Sequence, residues 1–124
     1  MKLLKILYVE DNDDLREGIL ELLQDESRVV VTCATGEQAL DAYESNPCDV
    51  LVTDVSLPGL SGTDLARRIL KRNPQQWVIL CSGYDFRYGL AALGPKVRSL
   101  PKPFEIDELD ALLSEISTDL AANK

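Results

Sequence analysis

Short apolar runs alternate with longer amphipathic stretches along this chain. The runs are Ile6–Val9, Val29–Cys33, Val50–Val52, Val78–Cys81 and, more weakly, Val97–Leu100. They are rich in β-branched residues and too short for helices. In the first four, apolar side chains fall on successive positions rather than every second one, a pattern that predicts strands buried on both faces of a parallel sheet. The stretches between them carry helical stripes. Leu15, Ile19, Leu22 and Leu23 form one, and Ala39, Leu40 and Tyr43 another. Leu65, Ala66, Ile69 and Leu70 follow, and Ile106, Leu109, Leu112, Leu113 and Ile116 close the series. Thr35-Gly36-Glu37-Gln38 reads as a capping box, and Ser61 with Asp64 three residues on is similar. A poorer helix is expected from Phe86 to Leu93, where Gly89 interrupts the pattern and Gly94-Pro95 ends it.

Strand and helix alternating five times imply a doubly wound α/β architecture, with right-handed crossovers placing helices on both faces. The expected form is a flavodoxin-like five-stranded parallel sheet of order 2-1-3-4-5. A length of 124 residues with 45% hydrophobic content suits one domain over residues 1–124. No internal repeat, linker or low-complexity segment breaks it.

Charge and composition then narrow the chemistry. A net charge of −8 argues against a general binder of nucleic-acid backbones, which needs clustered Lys and Arg. An acidic surface suits a cytoplasmic protein whose partners are proteins or cations. No apolar run approaches the roughly 20 residues that span a bilayer. The opening stretch Met1–Glu10 ends in acidic residues without a small-residue cleavage site, so it reads as a strand rather than a signal peptide. Cys33, Cys48 and Cys81 are odd in number and lack metal-ligand spacing, which favours reduced thiols. There is no histidine at all. That removes Ser-His-Asp triads, Cys-His pairs and His-containing zinc sites, and leaves carboxylates, hydroxyls, lysine and a metal to carry any chemistry.

In open α/β sheets ligands bind beyond the carboxyl ends of the strands, where strand order reverses. Glu10 and Asp11 follow the first strand, Asp54 the third, Ser82 and Gly83 the fourth, and Lys102 and Pro103 the fifth. With the order 2-1-3-4-5 these lie on adjacent strands and converge on one crevice. Three carboxylates there repel one another, and a hard divalent cation such as Mg²⁺ relieves the repulsion. A lysine opposite adds positive charge, so the set suits a transferring phosphoryl group with a carboxylate as nucleophile.

These residues resemble a known family. Glu10-Asp11, Asp54, Pro58-Gly59 followed by Gly62, Ser82-Gly83 and Lys102-Pro103-Phe104 look like the CheY-like receiver domains of response regulators in two-component signalling. The resemblance runs from Lys5 to about Leu120. It implies that Glu10 and Asp11 position Mg²⁺, Asp11 more directly, and that Asp54 is phosphoacceptor and metal ligand. It further implies that Val55 offers its backbone carbonyl to the metal, that Ser82 is the switch hydroxyl, and that Lys102 binds phosphate. The Lys102–Pro103 bond is expected to be cis. The implied partners are a histidine kinase or histidine phosphotransfer protein as donor and a downstream effector protein or domain, with neither nucleic acid nor membrane bound directly. The implied behaviour is that of a switch, not a conventional enzyme. The stretch Leu51–Gly62, with Ser82-Gly83-Tyr84, resembles receivers attached to hybrid sensor kinases, so both a stand-alone regulator and a piece of a longer protein fit.

One position departs from the family pattern. Receivers usually carry Tyr or Phe three residues before the lysine, and here that residue is Ser99. The coupling between switch hydroxyl and aromatic rotamer is then in doubt, with Tyr84 and Tyr88 as substitutes. A receiver-like module that works without phosphate is the alternative this leaves open. A haloacid dehalogenase-type phosphatase needs a second Asp two residues after the nucleophile, where this chain has Ser56. A flavodoxin is disfavoured because the acidic loop Glu10–Asp14 would repel a flavin phosphate. Singly, each motif has a plain reading: Asp11–Asp14 as a helix start, Lys102 as a surface lysine, Pro58-Gly59 as a turn. Their joint placement at strand ends is what favours the site.

Overall fold

The computed structural model describes residues 3–83 and 93–122. The elements run β1 (Leu4–Val9), α1 (Asp13–Leu23), β2 (Arg28–Cys33), α2 (Gly36–Ser45), β3 (Val50–Asp54), α3 (Gly62–Arg72), β4 (Trp77–Ser82), β5 (Val97–Pro101) and α4 (Ile106–Ala122). The strands form one all-parallel sheet of order β2-β1-β3-β4-β5, as the alternation predicted. The expected helix at Phe86–Leu93 falls, but for Leu93, outside the described residues, as do Tyr84 and Tyr88.

Two apolar layers sandwich the sheet. Leu7, Val9, Leu51, Val78 and Leu80 pack against α2 and α3 through Ala39, Leu65, Ala66 and Ile69. Ile6, Tyr8, Val50, Val52 and Ile79 face the other way, against Ile19 and Leu23 of α1 and Leu109, Leu113 and Ile116 of α4. The three central strands β1, β3 and β4 are therefore buried almost throughout, as an unbroken run of apolar residues requires.

β2 behaves differently from its sequence. Its Val-Val-Val run predicted burial on both faces, yet burial alternates along the strand, and Val29 and Val31 are 41% and 46% exposed. The cause is position: β2 is an edge strand, and only Val30 is turned into the layer with α1 and α4. In α1 the stripe is likewise narrower than predicted, because Leu15 and Leu22 are exposed while Ile19 and Leu23 are buried.

The caps form as the sequence indicates. Thr35 accepts the Gln38 N–H at 3.0 Å while the Gln38 side chain accepts from Ala34 N–H, also at 3.0 Å. Ser61 accepts the Asp64 N–H at 3.1 Å, but the Asp64 carboxylate turns to Arg67 instead of reaching back. Asn12 caps α1 by accepting the Leu15 N–H at 2.9 Å. Strand register levels the functional ends: Val9 lies opposite Thr53, Asp54 opposite Cys81 and Ser82 opposite Pro101.

The turn from β3 into α3 explains two glycines. Gly59 has φ +71°, a left-handed conformation that favours glycine, and Glu37 braces the next residue by accepting the Leu60 N–H at 3.2 Å. Gly62 packs so closely that a Cβ there would sit 1.9 Å from the Asp54 carbonyl oxygen. Gly62→Ala must push α3 away from the end of β3, and is expected to destabilise the fold by about 1–3 kcal/mol. Gly18, within α1, has open space where a methyl group would stand, with nothing within 4 Å, so Gly18→Ala is expected to stabilise by roughly 0.5–1 kcal/mol. Urea unfolding followed by Trp77 emission checks both, and equal effects of the two substitutions would contradict the close approach.

Candidate functional site

Glu10 and Asp11 leave β1 at the point where its neighbours diverge, and Asp54 ends β3 one strand away. One carboxylate oxygen from each of Glu10, Asp11 and Asp54 lies within 4.8 Å of the others. Lys102, just past β5, reaches across β4 to this cluster. Its Nζ donates to Asp54 Oδ2 at 2.9 Å and lies 3.6 Å from Glu10 Oε1. The side chains of Glu10, Asp54 and Lys102 are only 4%, 12% and 29% exposed, so this is a partly desolvated charge cluster rather than a surface ion pair.

The main chain holds these groups in place. Glu10 N–H donates to the Cys33 carbonyl at 3.1 Å and Val55 N–H to the Cys81 carbonyl at 3.0 Å, extending the ladders past the strands. Lys102 N–H donates to the Ser82 carbonyl at 2.7 Å, which ties the lysine to the end of β4. Ser82 is itself buried. The Lys102–Pro103 peptide bond is cis, as expected. The Val55 carbonyl accepts the Gly62 N–H at 2.9 Å, so it serves the β3–α3 turn. Ser56, next along and exposed, lines the same shallow depression as Asp11. Ser99 is half-buried in β5 opposite Leu80.

Beside the cluster opens a crevice of about 340 Å³ between α1 and the start of the β5–α4 loop. Asp54, Glu10 and Lys102 form its polar floor, and Tyr8, Leu15 and Phe104 are among its walls. Sequence reading missed Tyr8, whose place inside an apolar strand hides that it lines the crevice. It also missed Arg16, whose Nη1 donates to the Glu10 carbonyl at 3.0 Å; a lone cation one turn into an acidic helix start was the available signal.

Electrostatics follow from burial. Burial raises the Glu10 carboxyl above its ordinary value, although the Asn12 N–H and Lys102 oppose that shift. For Lys102, burial alone acts downward, but the Asp54 hydrogen bond and the fields of Asp54 and Glu10 prevail and hold the ammonium above its usual value. Burial pushes Cys81 and Cys48 up to about 12 and Cys33 up as well.

Fold and site together define a receiver-type phosphoryl-accepting domain. The description "Response regulator receiver domain" matches residues 6–114, and the chain belongs to that family. It is 34% identical over 116 residues to the sensor kinase CckA of Brucella abortus, a match that takes in 90% of this chain but 12% of that protein. The chain thus spans about an eighth of this relative. Among solved structures it is similar to a response regulator receiver domain from Clostridium thermocellum, with a TM-score of 0.86 and 26% identity, covering 98% of this chain and all of that one. It is also similar to the response regulator TrrA of Thermotoga maritima, solved in complex with Mg²⁺ and BeF, with a TM-score of 0.80 and 32% identity over 94% of this chain and 99% of that one. Among the described residues no helix is long and apolar enough to cross a membrane.

Two outcomes are expected from the electrostatics. Because the folded Glu10 carboxyl titrates above its unfolded value, its contribution is fully present below the ordinary carboxylate range and is lost as pH rises through the raised value. Ionised Glu10 therefore costs stability at neutral pH, and Glu10→Gln should raise the melting temperature measured without divalent metal; a lower melting temperature would contradict this. The three thiols should resist iodoacetamide at pH 8 in the folded protein and all react in urea, as read by intact mass.

Proposed function

We propose that this chain is a Mg²⁺-dependent phosphoryl switch with Asp54 as the acceptor. The observation that carries this reading is the Lys102–Asp54 bond of 2.9 Å set against three carboxylates within 4.8 Å of one another. Those carboxylates form a hard, all-oxygen donor set, without imidazole or thiolate, which fits Mg²⁺. Asp11 and Asp54 would hold the ion directly, with Glu10 positioning it. A backbone carbonyl from the β3–α3 turn would complete the protein's share. Val55 would do this with its second lone pair, since Gly62 takes the first, and Ser56 is the exposed alternative. When bound, the ion neutralises charge on the transferring phosphoryl group.

The chain's own residues do the rest. An Asp54 carboxylate oxygen attacks phosphorus of a phosphohistidine on a kinase or phosphotransfer protein. The new P–O bond forms as the P–N bond breaks, and its electron pair stays on the imidazole. The absence of histidine in this chain requires the donor to be another domain or protein. Lys102, already beside Asp54, would move its hydrogen bonds to the phosphoryl oxygens. Ser82, buried at the end of β4, would offer its hydroxyl to another and so register the modification. Water attack on the acyl phosphate resets the domain, which makes it a self-reacting switch instead of a turnover enzyme. We further read residues 1–124 as one receiver unit working in the cytoplasm and passing its state to an effector protein or domain. Ser99 in place of the usual aromatic favours an output that does not use a rotating ring on β5.

The test is phosphorylation of the purified chain by an acyl phosphate donor such as acetyl phosphate, read by intact mass. One phosphoryl adduct is expected, requiring Mg²⁺ and lost in Asp54→Asn. A folded protein that takes no adduct with Mg²⁺ present would instead support a module that binds its partner without phosphate.

A further inference from the structure

α1 carries a single cation, Arg16, in its first turn, four residues after the capping Asn12. The helix dipole does not explain it there, since a positive charge near a helix N-terminus is unfavourable. Its side chain is nevertheless only 18% exposed, and both Nη atoms have acceptors. Nη1 donates to the Glu10 carbonyl at 3.0 Å and Nη2 pairs with Asp13 Oδ1 at 2.6 Å. The Glu10 side chain is held from the other direction, as its Oε2 accepts the Asn12 N–H at 3.2 Å.

From this geometry, and resting on the metal site proposed above, we infer that Arg16 is a positioning residue that fixes the Glu10–Asp11 turn for the cation and keeps Asp13 out of the ligand set. The Glu10 carbonyl lies where the chain leaves the sheet, so the guanidinium determines the path of the chain into Asp11. The same guanidinium occupies the carboxylate of Asp13, a 78% exposed acidic residue only two positions after Asp11. A planar fork with five N–H donors can serve both acceptors at once, and an ammonium on a flexible stem cannot hold both in that geometry.

Mn²⁺ binding by electron paramagnetic resonance tests this without any phosphodonor. Arg16→Met is expected to weaken Mn²⁺ binding about tenfold, the usual cost of losing an outer support of a metal site. Arg16→Lys should recover only part of that loss. Asp13→Asn, and Arg67→Met as a match for a lost i, i+3 pair with Asp64, should stay within about twofold of the parent. Arg16→Met binding as well as the parent would overturn the inference, and so would Asp13→Asn binding as weakly as Arg16→Met. Thermal melts establish that each variant is folded, and if Arg16→Met is not, unchanged affinity in Arg16→Lys overturns the inference by itself. A folded parent chain that fails to bind Mn²⁺ would count against the metal site proposed above, whereas a binding parent with indifferent Arg16 variants counts against Arg16 alone.

Discussion

Repulsion among carboxylates is the constraint around which this end of the molecule is arranged. Glu10, Asp11 and Asp54 each bring a carboxylate oxygen within 4.8 Å of the others, and that proximity is unfavourable to ionisation unless positive charge lies beside them. Lys102 supplies it, touching Asp54 and approaching Glu10 from β5, the far side of β4. Removing Lys102 would leave two largely buried carboxylates, Glu10 and Asp54, without the positive charge they share. The surrounding main-chain bonds follow from that need. Lys102 N–H is fastened to Ser82, Val55 N–H to Cys81, and α3 is seated against the Asp54 carbonyl where only glycine fits.

The same cluster is under electrostatic tension. Ionised Glu10 is held against the pull of burial, and a divalent cation relieves that penalty more completely than one lysine can. On the proposed role of Asp54, a phosphoryl group there would change the partner that Lys102 serves, and Lys102 is joined to the end of β4 by its N–H bond to the Ser82 carbonyl. A switch of this type needs phosphate to favour one conformer energetically, and the relocation of a single ammonium is a direct source of that preference.

At the opposite end of the sheet the structure is built for permanence. Tyr43 donates to Gln76 at 2.8 Å, and the Gln76 amide donates onward to the Asp49 and Trp77 carbonyls. Trp77 donates to Asp119 of α4, with Lys96 and Arg98 over its ring at 5.6 and 5.0 Å. These contacts pin α2, β4, β5 and α4 away from the acidic crevice.

Local patterning alone determined the alternation of strands and helices, the caps at Thr35 and Ser61, and the strand-end placement of Glu10, Asp11, Asp54, Ser82 and Lys102. Each depends on periodicity or neighbours a few residues away, which is information a linear chain carries. The burial of β2 was not legible in the same way, because Val29 and Val31 look like core residues until the strand is known to lack a neighbour on one side. Gly62 reads as a turn glycine until α3 is docked against Asp54, and the Val55 carbonyl reads as free until Gly62 claims it. Arg16 reads as one more surface charge until the turn after β1 brings the Glu10 carbonyl to it. In each case the deciding contact joins groups whose proximity is created by packing, and only the tertiary structure brings them together.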